Sequence, residues 1–504
     1  MKIAGKILLI GVFFISIGLL FANFYFRPEI GDEGIIAMDG WRIYKGEIPH
    51  RDFFQFIPPL AGYVQSAVFK FFSPSIFAVR FLGFVYGTLL LLLTFLFYRK
   101  YIKSDMVTAL ALSFIVPFGV GSWLFGSHHW LVAILQICGG IVFSHSLEHK
   151  SRFWAVISGI FFGNAIFTMQ DQGGYLVIGL IICTFFVSKK ERRYFCIAVS
   201  SSIITFFILA LPLVFSASLK EVLWQWVYFP FLHYKGALGN QFSIINFLKQ
   251  ISSAWSVEAI KVSPLYALSS SISSTFQCLT PLLSIGSLLF LWIKGYMDRT
   301  NLSFISVISV SALLGAFHRL AMTNLAWAFL SLLPFYILVD KMLVKKRKKI
   351  KILAYSFVMF FLLSNLIFSF SRSIHCIKVD DTIVVNSSAG KYRFFDPYKA
   401  RILSEFVKAI EKEVPSGEPM FCVGYIPLIN FMTRHPNPTK FNFILPGGYN
   451  SKEQIATFLS TIESKKVKWG IVDKSVVKSE RISNLLPGFK IFFENDDYIL
   501  IRKD

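Results

Sequence analysis

Residues 5–34, GKILLIGVFFISIGLLFANFYFRPEIGDEG, place a long apolar run directly before a short segment rich in charge. The apolar part, at 5–23, is long enough to cross the roughly 30 Å hydrocarbon core of a bilayer as a helix. Lys2 and Lys6 stand at its start and no small-residue cleavage site follows, so we expect a retained span rather than a removed signal peptide. The acidic segment then begins at the outer end of that span.

The rest of the chain continues this apolar character. Of its 504 residues, 55% are hydrophobic and 17% are aromatic, which is more than the core of a soluble protein of this size can bury. Runs of about 17 to 23 apolar residues predict a polytopic α-helical membrane protein with about eleven transmembrane helices. These lie at 5–23, 77–98, 106–124, 129–147, 153–169, 173–188, 195–216, 276–293, 302–318, 322–339 and 351–371.

Basic residues occupy every second short connection between the predicted spans. Arg99-Lys100 and Lys189 to Arg193 are examples, whereas 121–130 and 170–174 carry no Lys or Arg. By the positive-inside rule the basic connections face the cytoplasm, which predicts an amino terminus inside and a carboxyl-terminal segment outside. The formal charge of +22 therefore indicates basic residues that contact membrane lipids rather than nucleic acid. We interpret the run Lys345 to Lys349 as a topology anchor. We expect a multi-pass membrane protein.

Three predicted outer segments are long. The first, at 24–76, is the predicted catalytic loop, and its end at 58–72 predicts a short helix lying in the membrane interface. The second, at 217–275, is rich in Trp and Tyr and is typical of an interfacial aromatic belt, with a lid as the alternative. We divide the chain into a transmembrane domain at 1–371 and an outer domain at 372–504.

The tail at 372–504 has the composition of a soluble domain. Its periodicity predicts a small extracytoplasmic α/β domain. The predicted helices are Lys399 to Glu413 and Lys452 to Ser464, and the predicted strands are Met420 to Tyr425, Val467 to Val472 and Tyr498 to Arg502. It contains no GxGxxG or Walker pattern, so nucleotide binding has no support.

The six cysteines of the chain show no CxxC and no ligand-like spacing with His, so neither a zinc site nor a disulfide framework is predicted.

Several short motifs resemble GT-C glycosyltransferases, specifically the bacterial protein mannosyltransferase and aminoarabinose transferase group. The first outer segment matches in Asp32-Glu-Gly34, Gly46 to Phe53, Pro58-Pro-Leu60 and Phe77-Ala-Val-Arg80. The tail matches in Val423-Gly-Tyr-Ile-Pro427, Thr433-Arg434, Pro446-Gly-Gly448 and Trp469 to Asp473. The resemblance covers the first eighty residues and the last hundred, and the middle matches only in hydropathy. It implies transfer of a sugar from a polyprenyl-phosphate carrier to a lipid, glycan or protein acceptor at the outer face of the membrane.

The resemblance also implies roles for particular residues. Attack by an acceptor hydroxyl on the anomeric carbon needs a carboxylate to accept the proton, and cations stabilise the departing lipid phosphate. Asp32 is the candidate base, and Glu33 orients the acceptor or raises the pKa of its neighbour. The alternative is that both carboxylates solvate a loop or cap a helix. The candidate phosphate and substrate contacts are Arg80, His318, Arg319, Asp171 and Asp52.

Alternatives remain open for several of these residues. Arg80 could instead snorkel to headgroups, Asp171 could be a second acid or a metal ligand, and Asp52 is more readily interpreted as structural. His128-His129 stands where some relatives carry an acidic residue, so no metal site is assigned, although a divalent metal remains possible.

Two other classes of protein compete with the transferase. A transporter or flippase for a lipid-linked glycan would have as many spans, but it should show charges inside several of them. A non-catalytic scaffold of envelope glycan assembly would tolerate replacement of Asp32. Sugar and acceptor remain open.

Overall fold

Helices make up most of the protein in the computed structural model, which describes residues 2–26, 30–115, 124–233, 264–317, 328–344, 348–377, 384–394, 396–446, 449–478 and 481–503. The first ten α-helices are α1 Lys2–Ala22, α2 Asp32–Tyr44, α3 Leu60–Phe72, α4 Ile76–Tyr101, α5 Asp105–Ser113, α6 His128–His149, α7 Arg152–Ile166, α8 Gln170–Cys183, α9 Lys189–Ala217 and α10 Leu219–Leu223. A π-helix at Trp224–His233 continues directly from α10.

The later helices include the last apolar ones and those of the carboxyl-terminal domain. They are α11 Pro264–Cys278, α12 Thr280–Lys294, α13 Arg299–Phe317, α14 Leu333–Val344, α15 Lys348–Ile377, α16 Pro397–Glu413, α17 Pro427–Met432, α18 Lys452–Ser464 and α19 Ile482–Leu485. A 3₁₀-helix at Phe329–Leu332 leads into α14. The strands are β1 Val384–Ser387, β2 Gly390–Arg393, β3 Met420–Val423, β4 Trp469–Asp473, β5 Phe489–Glu494 and β6 Tyr498–Lys503.

The chain is a multi-pass membrane protein. Six of the described helices are long and apolar enough to cross a membrane, or up to seven if one bent pair counts as a single span. The six are Ile3–Ala22, Ile76–Tyr101, His128–His149, Lys189–Ala217, Arg299–Ala316 and Lys349–Phe368, and each coincides with a predicted span. The other predicted spans fall on shorter helices or extend outside the described residues, so the total of about eleven stays a prediction.

The bent pair interrupts the predicted span at 276–293. Ala267–Cys278 and Thr280–Lys294 meet at an angle of 49° around Leu279. Proline stands at the start of the second helix, at position 281, where its missing N–H is tolerated. A proline in a continuous helix would remove a backbone hydrogen bond and clash with the preceding turn. The chain therefore ends one helix and begins another at this point.

The first outer segment contains more helix than the sequence indicated. The short helix predicted at 58–72 is confirmed as α3, but α2 was not predicted. Gly34 and Gly40 lower the helix propensity of α2, and burial of most residues from Glu33 to Arg42 compensates for it. Gly31, Gly34 and Gly40 have ordinary negative φ angles, whereas Gly46, in the loop after α2, has a φ of +92°.

The carboxyl-terminal domain is α/β, as predicted. Its sheet has the order β3-β4-β6-β5, in which β3 and β4 are parallel and the other pairs are antiparallel. β3 is buried along its whole length, which explains its purely apolar sequence. The predicted helices are confirmed as α16 and α18, and the latter begins with a capping box between Ser451 and Gln454.

One apolar core joins this domain to the helical domain. The same buried cluster includes Trp41 of α2 and Phe431 of α17, and the two rings meet edge to face with 5.9 Å between centroids. A separate hairpin of β1 and β2 lies beside the end of α1, where the Arg393 backbone N–H donates to the Tyr25 carbonyl at 2.8 Å. The carboxyl-terminal domain therefore packs directly against the first outer segment.

Candidate active site

The two candidate catalytic carboxylates lie at the beginning of α2. Asp32 and Glu33 occupy the first turn of this helix, where the unpaired backbone N–H groups favour negative charge. The Asp32 side chain is partly buried, whereas Glu33 is completely buried. The two residues therefore differ in access to a substrate, although they are adjacent in the sequence.

Glu33 is held in a buried ion pair. Arg80 of α4 donates from Nη2 to Glu33 Oε2 at 2.7 Å and from Nη1 to the Phe26 carbonyl at 3.0 Å. The Tyr392 hydroxyl of β2 donates to Glu33 Oε1 at 2.7 Å. Burial raises the pKa of Tyr392 well above its usual range, so this hydroxyl keeps its proton. Both carboxylate oxygens of Glu33 therefore accept a hydrogen bond from a buried side chain.

Asp32 contacts the carboxyl-terminal domain through a different tyrosine. The Tyr425 hydroxyl, which follows β3, donates to Asp32 Oδ1. The Tyr425 ring also lies against the backbone at Gly31, where any Cβ atom would overlap it. Tyr425 lies within the motif Val423 to Pro427 that resembles the glycosyltransferases, but we could assign it no role from the sequence. No local pattern indicates a contact between Asp32 and Tyr425, which are far apart in the chain.

The beginning of α2 and the beginning of α17 approach each other closely. The Leu428 N–H donates to the Ile30 carbonyl at 3.2 Å. A Cβ atom on Gly34 would lie 2.8 Å from the Leu428 Cα atom, a distance that real side chains do not tolerate. Gly31 and Gly34 therefore allow close packing of α2 against the carboxyl-terminal domain.

A second buried carboxylate lies two turns further along α2. Asp39 accepts from the Asn442 Nδ2 group at 2.6 Å, and the Asn442 oxygen accepts from Arg42 Nη1 at 3.2 Å. Burial raises the pKa of Asp39 to about 7, against the opposing effects of Asn442 and Arg42. Sequence reasoning missed this group. Its only sequence signal is a carboxylate among apolar residues.

His50 anchors the loop after α2 to the π-helix. Its Nδ1 atom lies 2.7 Å from Gln225 Oε1, and Trp226 donates from Nε1 to His50 Nε2 at 3.1 Å. Burial lowers the pKa of His50 to about 4, so the ring is neutral. Because Nε2 accepts from Trp226, the proton of the neutral ring lies on Nδ1 and is donated to Gln225. Trp226, which the sequence assigned to a belt or lid, is instead a buried packing residue.

The remaining predicted site residues lie in separate places. Asp52 accepts from Arg51 Nη2 at 2.8 Å and from the Ile48 N–H at 2.7 Å, which agrees with the structural alternative. Asp171 lies in the first turn of α8, where its Oδ1 atom accepts from the Gln172 N–H at 2.7 Å. His318 and Arg319 lie outside the described residues.

Two clusters of histidines lie on α6. His128 and His129 occupy its first turn, with 4.2 Å between ring centroids. At the other end, His145, Glu148 and His149 form the one group among the described residues whose ligand atoms lie close enough together to hold a metal ion. Glu148 already pairs with Lys100 at 3.0 Å. The cluster lies at the opposite end of α6 from His128.

Comparison with known proteins gives a likeness in structure alone. No protein-family profile matches the chain, and no curated protein sequence matches it significantly. Among solved structures, ArnT from Cupriavidus metallidurans bound to undecaprenyl phosphate superposes with a TM-score of 0.59 at 10% identity, covering 99% of this chain and 97% of that one. The apo state of the same enzyme gives a TM-score of 0.59 at 12% identity, covering 99% and 98%. The chain has the ArnT fold.

This likeness extends over both parts of the molecule. Because nearly the whole of each chain is covered, one superposition on ArnT includes both the helical domain and the carboxyl-terminal domain of this protein. The fold expected from the motif resemblance is thereby confirmed.

Proposed function

We propose that this protein is a membrane glycosyltransferase that moves a sugar, a hexose or a pentose, from a polyprenyl-phosphate donor to an acceptor. The observation that carries the proposal is a pair of adjacent carboxylates at the start of α2, held where the helical domain meets the carboxyl-terminal domain. The whole-chain likeness to ArnT, a protein solved with undecaprenyl phosphate bound, supports a lipid phosphate as the leaving group.

In the proposed reaction the acceptor hydroxyl loses its proton to Asp32 as its oxygen attacks the anomeric carbon. A new carbon–oxygen bond forms there, the bond from the anomeric carbon to the phosphate oxygen breaks, and polyprenyl phosphate leaves with the electron pair. Asp32 suits this role better than Glu33, because its side chain is partly exposed whereas Glu33 is completely buried in an ion pair with Arg80.

We assign supporting roles to the other candidates. Arg80 orients Glu33 rather than the lipid phosphate, because its Nη2 atom is engaged in the buried ion pair. His318 and Arg319 remain the proposed phosphate contacts. Asp171 is a candidate acceptor contact, and Asp52 stabilises the loop after α2 through Arg51.

We also propose the arrangement that the charge pattern predicts. About eleven spans would place the amino terminus in the cytoplasm and the domain after residue 371 outside, in a bacterial inner membrane. The reaction would then take place at the outer face, on a lipid, glycan or protein acceptor. Modification of lipopolysaccharide or of protein would both fit this location.

Donor consumption in reconstituted vesicles tests the proposal. Vesicles holding the purified protein receive a panel of radiolabelled polyprenyl-phosphate sugars together with an envelope lipid extract as acceptor. Release of free polyprenyl phosphate with label moving to the extract is the expected result. Protein-dependent movement of intact donor across the bilayer without cleavage would indicate a flippase instead. Neither cleavage nor movement with any donor would contradict both and favour a scaffold.

A further inference from the structure

Both carboxylates of the candidate pair accept from tyrosine hydroxyls that come from the far end of the chain. Tyr392 donates to Glu33 at 2.7 Å, and Tyr425 donates to Asp32. The helical domain thus supplies the carboxylates, and residues more than three hundred positions later supply a hydroxyl for each. Of the two contacts, that of Tyr425 involves the proposed base itself.

The Tyr425 side chain is fixed from both sides. Its ring meets Phe443 edge to face, with 5.0 Å between centroids, and it also lies against the backbone at Gly31. The residue before it, Gly424, has a φ of +114° and donates its N–H to the Ile444 carbonyl at 2.8 Å. This turn at the end of β3 directs the hydroxyl towards α2.

We propose that Tyr425 is a positioning residue of the transferase, and that the carboxyl-terminal domain is therefore a working part of the active site rather than an appended module. The inference rests on the proposed function of Asp32 as the base. A carboxylate with one oxygen fixed by a rigid donor cannot rotate freely, so its orientation towards an incoming hydroxyl is set before the acceptor binds.

The proposal differs from a purely structural role for the tyrosine. If Tyr425 only packed the two domains together, the ring would suffice and the hydroxyl would be dispensable. If it positions Asp32, the hydroxyl is required even where the ring remains. Removal of the oxygen atom alone therefore separates the two roles.

Tyr425→Phe is the decisive variant, because it keeps the ring contacts with Phe443 and Gly31. We expect kcat to fall between about tenfold and a hundredfold, the range for loss of a hydrogen bond to a charged group. The KM for the donor should stay within twofold, and a cooperative thermal transition should show that the variant is folded. Wild-type kcat in Tyr425→Phe would overturn the proposal.

A matched control lies in the same domain. Tyr398 also donates to an aspartate, Asp496 Oδ2 at 2.7 Å, but both residues are exposed on the surface. Tyr398→Phe removes the same type of hydrogen bond and should leave kcat unchanged. A comparable fall in both variants would show a general effect of losing a tyrosine hydroxyl and would contradict the proposal.

A spectroscopic measurement separates this inference from the proposed function. With ¹³C-labelled aspartate, the carboxylate stretching band of Asp32 is identified in infrared spectra as the band lost in Asp32→Asn. Tyr425→Phe should shift that band and Tyr398→Phe should leave it in place. An unshifted band would overturn the inference even in a protein without transfer activity. A shifted band together with no activity for any donor would count against the proposed function alone.

Discussion

Arg80 Nη2 lies 2.7 Å from Glu33 Oε2, and the two side chains are only 1% and 0% exposed. A buried ion pair of this kind contributes little net stability compared with apolar residues, but removal of one partner leaves an isolated buried charge. The pair also joins α2 to α4, so it fixes the helix that carries Asp32 against the first long span after it.

Single replacements of this pair should therefore destabilise the protein more than a double replacement. Arg80→Met or Glu33→Gln alone should cost about 3–5 kcal/mol, whereas the double variant should recover a large part of that loss. Thermal unfolding in detergent measures the difference as melting temperatures. Additive losses in the double variant would contradict the assignment. An Arg80→Met protein of normal stability with weakened donor binding would restore the phosphate role that the sequence suggested.

Gly34 should be intolerant of even the smallest side chain. A Cβ atom there would lie 2.8 Å from the Leu428 Cα atom, and such overpacking costs about 1–3 kcal/mol. Gly34→Ala should make the segment before the carboxyl-terminal domain more sensitive to protease, measured by release of that domain as a fragment. Gly286→Ala in α12 is the control, because a Cβ atom at Gly286 meets nothing within 4 Å. Equal protease sensitivity in the two variants would contradict the close docking of α2 on α17.

Asp39 should make stability depend on pH in a predictable direction. Its pKa is raised from 3.8 to about 7 by burial, so the folded protein binds a proton that the unfolded chain has released between these values. Stability contributed by this group is therefore lost as the pH rises towards 7. Asp39→Asn mimics the protonated form. Its melting temperature relative to the wild type should be higher at pH 7.5 than at pH 5.

The same comparison at two pH values contains its own control. The opposing titration of His50, whose pKa is lowered to about 4, is present in both proteins and cancels in the difference. A difference in melting temperature that stays constant between pH 5 and pH 7.5 would show that Asp39 is ionised at both.

Local patterns predicted the elements that local physics determines. Apolar runs such as 77–98 and 129–147 are long enough to predict spans by themselves, and the amphipathic period of Lys399 to Glu413 predicts a helix that can bury one face. In each case the residues that form the signal lie within a few turns of one another in the sequence. The structure contains α4, α6 and α16 at these places.

The contacts of the site could not be predicted in the same way. The hydrogen bonds of Glu33 with Tyr392 and of Asp32 with Tyr425 join residues separated by 359 and 393 positions. The helix α2 itself is stabilised by burial against α3 and the carboxyl-terminal domain rather than by its own propensity, so its sequence resembles a loop. Glu33 shows the limit of prediction from the sequence. Its charge marked it as a candidate catalytic residue, and only its buried partners in the structure distinguish it from Asp32.

The central claim is that Asp32 is the base of a sugar transfer from a lipid phosphate, and the most direct test measures turnover and donor binding separately. Asp32→Asn preserves the shape of the side chain and removes its ability to accept a proton. Asp496→Asn is the matched control on the surface of the carboxyl-terminal domain. We predict that turnover in Asp32→Asn falls by about a hundredfold or more, the size expected for lost general-base catalysis, while donor affinity changes less than twofold. Turnover within threefold of the wild type in Asp32→Asn would contradict the account.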